Sequence, residues 1–134
     1  MSVHVQVIAA ADHPAQGTAA TTESFEVGEA QQDFTVTEVS ILPNAALTAD
    51  ATNNRTFTLQ NRGSGGSGTT VIATLVTDVA GGNWVAHDEK LMTLSGTAAN
   101  LNVAQNDVLA VIETVGGTGV AHPALQCVVR GTRR

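Results

Sequence analysis

The sequence predicts an all-β fold, a β-sandwich of the jelly-roll type with about eight short strands. Apolar and polar residues alternate along most of the 134-residue chain, and this two-residue period is that of a strand with one buried face. Clusters of Gly, Pro, Asn and Asp separate these segments at close spacing, as in sandwiches and jelly rolls. Long helical stripes are missing from the sequence, so a parallel α/β fold with crossover helices is disfavoured.

The N-terminal region is predicted to contain a strand and then an extended arm. Val3, Val5 and Val7 alternate with polar residues, which predicts the strand. Residues 9–22 are rich in Ala, Thr and Gly and contain the His13-Pro14 dipeptide, which indicates an arm or loop. Two alternatives stay open for the strand: it adds to a partner's exposed sheet edge, or it is an edge strand of the domain's own sheet.

The chain is short enough to form one domain. We divide this domain into an N-terminal strand and arm, residues 1–22, and a β-sandwich, residues 23–134. Alternation begins again at Phe25 and Val27, which predicts the first strand of the sandwich.

The middle of the chain contains the most regular strand patterns. In residues 34–41 the apolar parity changes at Glu38, which indicates a β-bulge or a strand that passes from one neighbour to another. Residues 56–60 alternate cleanly, with β-branched Thr on the outer face. Residues 63–68 are all Gly or Ser and predict a hairpin or loop tip. Residues 70–76 are apolar enough for a strand buried on both faces.

The C-terminal half is expected to complete the sandwich. Strands are predicted at residues 90–94, 101–103, 108–115 and 125–130, with turn sequences between them. Cys127 is the only cysteine, so an intrachain disulfide is excluded and the fold must rest on its apolar core. Because Cys127 alternates with apolar residues, we expect a small buried hydrophobe and not a reactive thiol.

Charge excludes several classes of partner. The net charge is −6 with only six Lys and Arg residues, whereas binding a phosphate backbone requires clustered cations. No apolar run approaches the roughly 20 residues of a membrane span, and the N-terminus lacks the positive region of a secretory signal. We therefore expect no nucleic-acid or membrane partner, and a soluble chain made in a cytoplasm.

The low charge density favours assembly with other proteins. Only 13% of the residues are charged, against a usual fraction of about a quarter. Small polar residues must then cover much of the surface, which suits a surface that neighbouring subunits cover in part. The only basic cluster is Arg130, Arg133 and Arg134, which is either a solvated tail or an electrostatic contact with an acidic partner.

The sequence contains no motif that predicts catalysis or a cofactor. It has four histidines, His4, His13, His87 and His122. No two have metal-ligand spacing, so we expect exposed or capping histidines and no metal site. His87-Asp88-Glu89 lacks a positioned nucleophile, and the Gly/Ser segment lacks the lysine and helix of a phosphate-binding loop. We predict no catalytic residue, no cofactor and no enzymatic activity.

Several strand-and-turn segments resemble those of tailed-bacteriophage virion structural proteins. These segments are NNRTFTLQNRG (53–63), GTTVIA (68–73), LMTLSGT (91–97), DVL (107–109) and GTG (117–119). The likeness extends over residues 34–129. It implies a β-rich head protein that decorates or cements the capsid by binding the major capsid protein, often as a homotrimer. It transfers no catalytic residues, because such proteins act through their surfaces.

The function predicted from the sequence is therefore that of a structural virion protein on the capsid exterior, synthesised in the host cytoplasm. The residues expected to contact partners are Val3, Val5, Val7, Arg130, Arg133 and Arg134. Two alternatives stay open: a tail or fibre module of the virion, and a β-sandwich domain that binds a ligand or catalyses a reaction.

Overall fold

The computed structural model describes residues 4–18 and 22–134, and these residues form ten β-strands. The strands are β1 (Val5–His13), β2 (Glu23–Glu29), β3 (Phe34–Pro43), β4 (Asn54–Asn61), β5 (Thr70–Val76), β6 (Lys90–Leu91), β7 (Thr93–Leu94), β8 (Asn102–Val103), β9 (Val108–Gly116) and β10 (Leu125–Arg133). The helical structure in this part of the chain is one 3₁₀ turn, Ala98–Leu101. The predicted all-β fold is confirmed. None of these residues forms a helix long and apolar enough to cross a membrane.

Two antiparallel sheets make up the sandwich. The first has the order β1-β10-β3-β6, with β8 also paired to β3, and the second has the order β2-β9-β4-β5-β7. The pairing is nested, because β1 pairs with β10, β2 with β9 and β4 with β5. Such nesting places early and late strands alternately within each sheet, which is the arrangement of a jelly roll.

Strand β1 lies in the domain's own sheet, the second of the two alternatives that the sequence left open. It pairs with β10 from Val5 opposite Thr132 to His13 opposite Leu125. Part of the region expected to be an arm, residues 9–13, is therefore strand, because pairing with β10 overrides the weak local preference of its alanines. Val3 and residues 19–21 lie outside the described residues.

The parity change in β3 has both of the causes that the sequence suggested. Arg130 of β10 pairs with Glu38 and Gly131 pairs with Val36, so Thr37 is the extra residue of a β-bulge. On its other side β3 pairs with β8 near Phe34 and with β6 near Ile41. The bulge keeps apolar side chains inward on both sides of the slip.

Strands β4 and β5 form a hairpin around the Gly/Ser segment, as predicted. Gly63 and Gly66 have φ angles of 69° and 81°, a left-handed conformation that glycine adopts without a steric penalty. The prediction that β5 is buried on both faces is wrong at Val71, whose side chain is 37% exposed. On the side of β5 away from β4, the neighbouring strand is the short β7, which pairs only with Ala73 and Thr74.

The core lies between the sheets and joins side chains of both. Phe57 of the second sheet packs against Trp84, with ring centroids 5.5 Å apart, and Ile41 and Val129 of the first sheet are fully buried. Cys127 is also fully buried, and burial raises the pKa of its thiol to about 12. Cys127 is therefore the small buried hydrophobe that the sequence predicted.

Candidate functional site

The valines predicted to contact partners lie on an exposed edge. Val5 and Val7 are 58% and 54% exposed, although each is a large apolar side chain. Both belong to β1, which among residues 4–18 and 22–134 stands at the end of its sheet and pairs with β10 alone. Unpaired edge strands of this kind are templates for pairing with another chain.

Of the arginines predicted to contact partners, Arg130 and Arg133 lie in the central strand β10 and Arg134 follows it. Arg130 lies in β10, with its Nη1 3.6 Å from Oε1 of Glu38 and 3.4 Å from Oε2 of Glu89. Arg133 is exposed at the end of β10, and Arg134 donates a hydrogen bond from Nε to the carbonyl of Phe34. The sequence did not indicate that β10 lies in the middle of its sheet, between β1 and β3.

A second set of residues, which the sequence did not predict, forms a buried polar cluster at one end of the sandwich. We call it the His-Glu cluster; it consists of His13, Glu23, Arg55, Glu113 and His122. Arg55 and Glu113 have no exposed surface, and His13 and His122 are only 8% and 3% exposed. Buried charges of this kind are rare unless they are paired.

The fold positions these five side chains from five different parts of the chain, and Arg55 comes from β4. His13 ends β1 and Glu23 begins β2, where it pairs in register with Glu113 of β9. His122 follows β9, and its backbone exchanges two 3.0 Å hydrogen bonds with Gln16. This exchange holds the β9–β10 connection against the segment that follows β1, so the two histidines approach the same carboxylate.

Glu113 is the centre of the cluster. Its Oε2 lies 2.9 Å from Nε2 of His13, and its Oε1 lies 2.9 Å from Nε2 of His122. Nη1 of Arg55 is 3.4 Å from the same Oε1 and 4.0 Å from Oε2 of Glu23. One carboxylate therefore contacts two imidazoles and a guanidinium in a site closed to solvent.

Arg55 is held by the backbone as well as by the glutamates. Its Nε donates a 2.6 Å hydrogen bond to the carbonyl of Val120, and its Nη2 donates a 2.8 Å bond to the carbonyl of Gly17. With the 3.4 Å hydrogen bond from Nη1 to Oε1 of Glu113, they engage all three guanidinium nitrogens. Arg55 thus fixes both loops that enclose the cluster and offsets one of the two carboxylate charges.

Ring contacts fix the planes of the two imidazoles. His13 stacks on Phe25 with centroids 4.1 Å apart, and it faces His122 at 5.4 Å. Phe57 meets His122 edge to face at 5.5 Å. The histidines therefore have little freedom to rotate away from Glu113.

The tautomer of His122 follows from its second nitrogen. Nδ1 lies 2.8 Å from the carbonyl oxygen of Pro123, and a carbonyl only accepts hydrogen bonds. Nδ1 must therefore carry a hydrogen, and Nε2 is the ring nitrogen that faces Glu113.

Four buried atoms of the cluster have no hydrogen-bond partner among the described residues: Nε2 of His13, Nε2 of His122, Oε2 of Glu23 and Oε2 of Glu113. The 2.9 Å contacts are short enough for hydrogen bonds, but they lack the direction of one. Each of the four side chains offers a ligand atom, and these atoms lie within 4.8 Å of one another.

The surroundings of His13 and Glu113 lower the pKa of both side chains. Burial lowers the pKa of His13, although the Glu113 carboxylate acts in the opposite direction. Burial alone would raise the pKa of Glu113, but its contact with His122 and the nearby His13 and Arg55 hold that pKa below its usual range. Burial therefore disfavours the charged form of His13, whereas the neighbouring groups favour the carboxylate form of Glu113.

The expectation of exposed or capping histidines is wrong for His13 and His122. They lie near opposite ends of the chain, so no ligand spacing exists in the sequence, and only the nested pairing of strands joins them. The sequence does contain weaker signals. Arg55 has the inward parity of Phe57 and Leu59, and Glu113 has that of Leu109 and Val111.

Comparisons with known proteins give no relative of this chain. A scan against protein-family models, a search of curated proteins and a search of solved structures each find no match.

Proposed function

We propose that this chain is a non-enzymatic structural protein of a tailed-bacteriophage virion that decorates the outside of the capsid by binding the major capsid protein. The observation that carries the proposal is the exposed apolar half of an edge strand, with Val5 and Val7 more than half exposed. The resemblance of residues 34–129 to virion structural proteins supplies the kind of partner.

The edge strand suits binding by strand addition. Strand β1 has a neighbour on one side only in the sheet described, so its outer side is available for main-chain hydrogen bonds to an extended segment of the shell. Such bonds supply affinity, while alternate side chains set the register. Val5 and Val7 face Thr132 and Arg130 on β10, so apolar and basic groups adjoin in one surface.

The rest of the surface supports assembly and not catalysis. Only 13% of the chain is charged, which lowers the cost of removing its surface from water. The polar groups with the most unusual environment, those of the His-Glu cluster, are buried away from any organic substrate. The assembly that fits this surface is a homotrimer whose contacts supplement each protomer's core.

Binding to expanded, undecorated heads tests the proposal. We expect saturable co-sedimentation of the purified chain with the heads. The double variant Val5→Thr/Val7→Thr should bind at least about tenfold more weakly, a loss of roughly 1.4 kcal/mol. Threonine keeps strand preference while it removes apolar surface.

The matched control is Val79→Thr/Val85→Thr, which alters two valines that are 66% and 59% exposed but lie outside the strands. This control should bind as the parent does. Light scattering of the free chain tests the trimer. If the parent does not bind heads saturably, or binds tails or fibres in their place, the decoration function is wrong.

A further inference from the structure

We propose that His13, Glu23, Glu113 and His122 form a binding site for one divalent transition-metal ion of the zinc type. Such an ion would join the N-terminal edge strand to the second sheet. The proposal is independent of capsid binding, because it rests on the buried His-Glu cluster and not on the exposed edge.

The first argument is the direction of the donor atoms. Nδ1 of His122 donates to the carbonyl of Pro123 at 2.8 Å, so Nε2 is the nitrogen that faces the cluster. Metal-binding histidines commonly use the other ring nitrogen in this way, to fix the tautomer and the ring orientation. Nε2 of His13 and Oε2 of both glutamates likewise have no hydrogen-bond partner among residues 4–18 and 22–134.

The second argument is the spacing of these atoms. Zinc bonds to nitrogen and oxygen measure about 2.0–2.2 Å, so two ligands at right angles on one ion lie about 2.9 Å apart and tetrahedral ligands about 3.4 Å apart. The two Nε2 atoms each lie 2.9 Å from an oxygen of Glu113. One ligand atom from each of the four residues fits within 4.8 Å, so small side-chain shifts would complete a single coordination sphere.

The third argument is charge. The cluster contains two carboxylates, those of Glu23 and Glu113, but only one guanidinium, that of Arg55. A buried excess charge is costly, and a bound cation removes it. Arg55 turns its Nε and Nη2 to backbone carbonyls and presents only Nη1 to the two glutamates.

A proton on His122 is the alternative way to supply the positive charge. An imidazolium would donate from Nε2 to Oε1 of Glu113, but the contact lacks the direction of a hydrogen bond. It would also leave Oε2 of Glu23 without a hydrogen-bond partner among the described residues. A metal ion engages all four atoms at once.

The donor set selects the class of metal. Imidazole suits Zn²⁺, Cu²⁺, Fe²⁺ and Ni²⁺, whereas Ca²⁺ and Mg²⁺ prefer sites built from oxygen alone. No described residue offers a thiolate here, since Cys127 is buried in the core. His13 also lines an open groove with Pro14 and Pro43, so this proposed ligand lies next to the surface.

The experiment uses the full chain stripped with a chelator and titrated with Zn²⁺ alone by calorimetry. We expect one ion per chain. X-ray absorption at the zinc edge should show only nitrogen and oxygen ligands at about 2.0–2.2 Å, including imidazole. Removing a residue that only hydrogen-bonds a metal ligand weakens metal binding by up to about 100-fold. Because His122 is itself a proposed ligand, His122→Asn should weaken binding by more than this.

The matched control is His87→Asn, which alters an exposed histidine whose φ of 63° asparagine tolerates. It should bind zinc as the parent does. If His122→Asn fails to fold, Glu23→Gln takes its place, because this residue is partly exposed and the change preserves its shape. A parent without saturable binding, or folded His122→Asn and Glu23→Gln variants that bind as tightly as the parent, would overturn the proposal. Head binding is measured separately, so the two proposals can fail independently.

Discussion

The imidazole of His13 lies flat against the ring of Phe25, with centroids 4.1 Å apart and planes inclined by only 9°. His13 belongs to the first sheet and Phe25 to the second. The stack therefore joins the two layers at the same end as the His-Glu cluster, and it holds Nε2 of His13 toward Glu113.

Replacing Phe25 with leucine should loosen this end of the sandwich. Phe25→Leu removes the stacked ring, so we expect a loss of about 1 kcal/mol in the free energy of unfolding, the usual worth of an aromatic pair. Urea denaturation measures this loss. Phe25→Tyr keeps the ring and should lie near the parent; equal stability of the leucine variant would show that the stack contributes nothing.

Replacing Glu113 with glutamine should destabilise the fold much more. Glu113→Gln removes the charge that contacts both histidines and Arg55, and it leaves the buried guanidinium without its nearest carboxylate. We expect a loss of roughly 3–5 kcal/mol, as when one partner of a buried ion pair is removed. Chemical denaturation of the metal-free chain measures it.

The control for this variant is Glu26→Gln, which makes the same change on an exposed residue of β2. Its free energy of unfolding should stay within about 0.5 kcal/mol of the parent's. Similar small losses in both variants would contradict the central place of Glu113 in the cluster.

Asp50 should make stability depend on pH in the acid range. Its carboxylate accepts backbone hydrogen bonds from Asn53 and Thr52 at 2.7 and 2.8 Å, and these bonds lower its pKa below the usual value. Because the pKa is lower in the folded chain, the stabilisation is present above the unfolded pKa and is lost as the pH falls through the folded pKa.

The variant Asp50→Asn tests this expectation. The difference in unfolding free energy between the parent and Asp50→Asn should be largest near neutral pH and should shrink as the pH falls below about 4, where an unfolded aspartate takes up its proton. Denaturation at a series of pH values measures the difference. A gap that stays constant with pH would contradict the lowered pKa.

Deleting residues 2–22 should abolish cooperative folding. The deletion removes β1, which pairs with β10 along its length, and it removes His13 from the cluster. Thermal melting followed by circular dichroism checks the result, with full-length Val5→Thr/Val7→Thr as the control that retains the strand. A truncated chain that melts as the parent does would mean that β1 acts only as an arm for partners.

The sequence predicted the fold because local patterns carry most of its information. The alternation around Phe57 and the parity slip at Glu38 each reflect a single strand and its inner face, so both were found without knowledge of strand neighbours. The exposure of Val71 was not predicted. A run of apolar residues in β5 does not reveal that the neighbouring strand β7 is only two residues long.

The His-Glu cluster was missed for a different reason. Its members become neighbours only when the first strand pairs with the last and Glu23 pairs with Glu113, and a spacing rule for metal ligands examines only nearby positions. The inward parity of Arg55 and Glu113 was visible, yet a charged residue in an apolar strand does not by itself identify its partner. The charge balance and donor directions of the cluster exist only in the folded chain.

The nested strand order also determines when folding can finish. Strand β10 lies between β1 and β3, so the first sheet has no centre until residues 125–133 have left the ribosome. Closing so large a loop costs entropy before its contacts form, and proteins with such distant contacts fold slowly. During synthesis strand β1, with its exposed Val5 and Val7, therefore stays unpaired until β10 is available. Because the nascent chain carries few charges, little prevents this strand from pairing with that of a neighbouring copy.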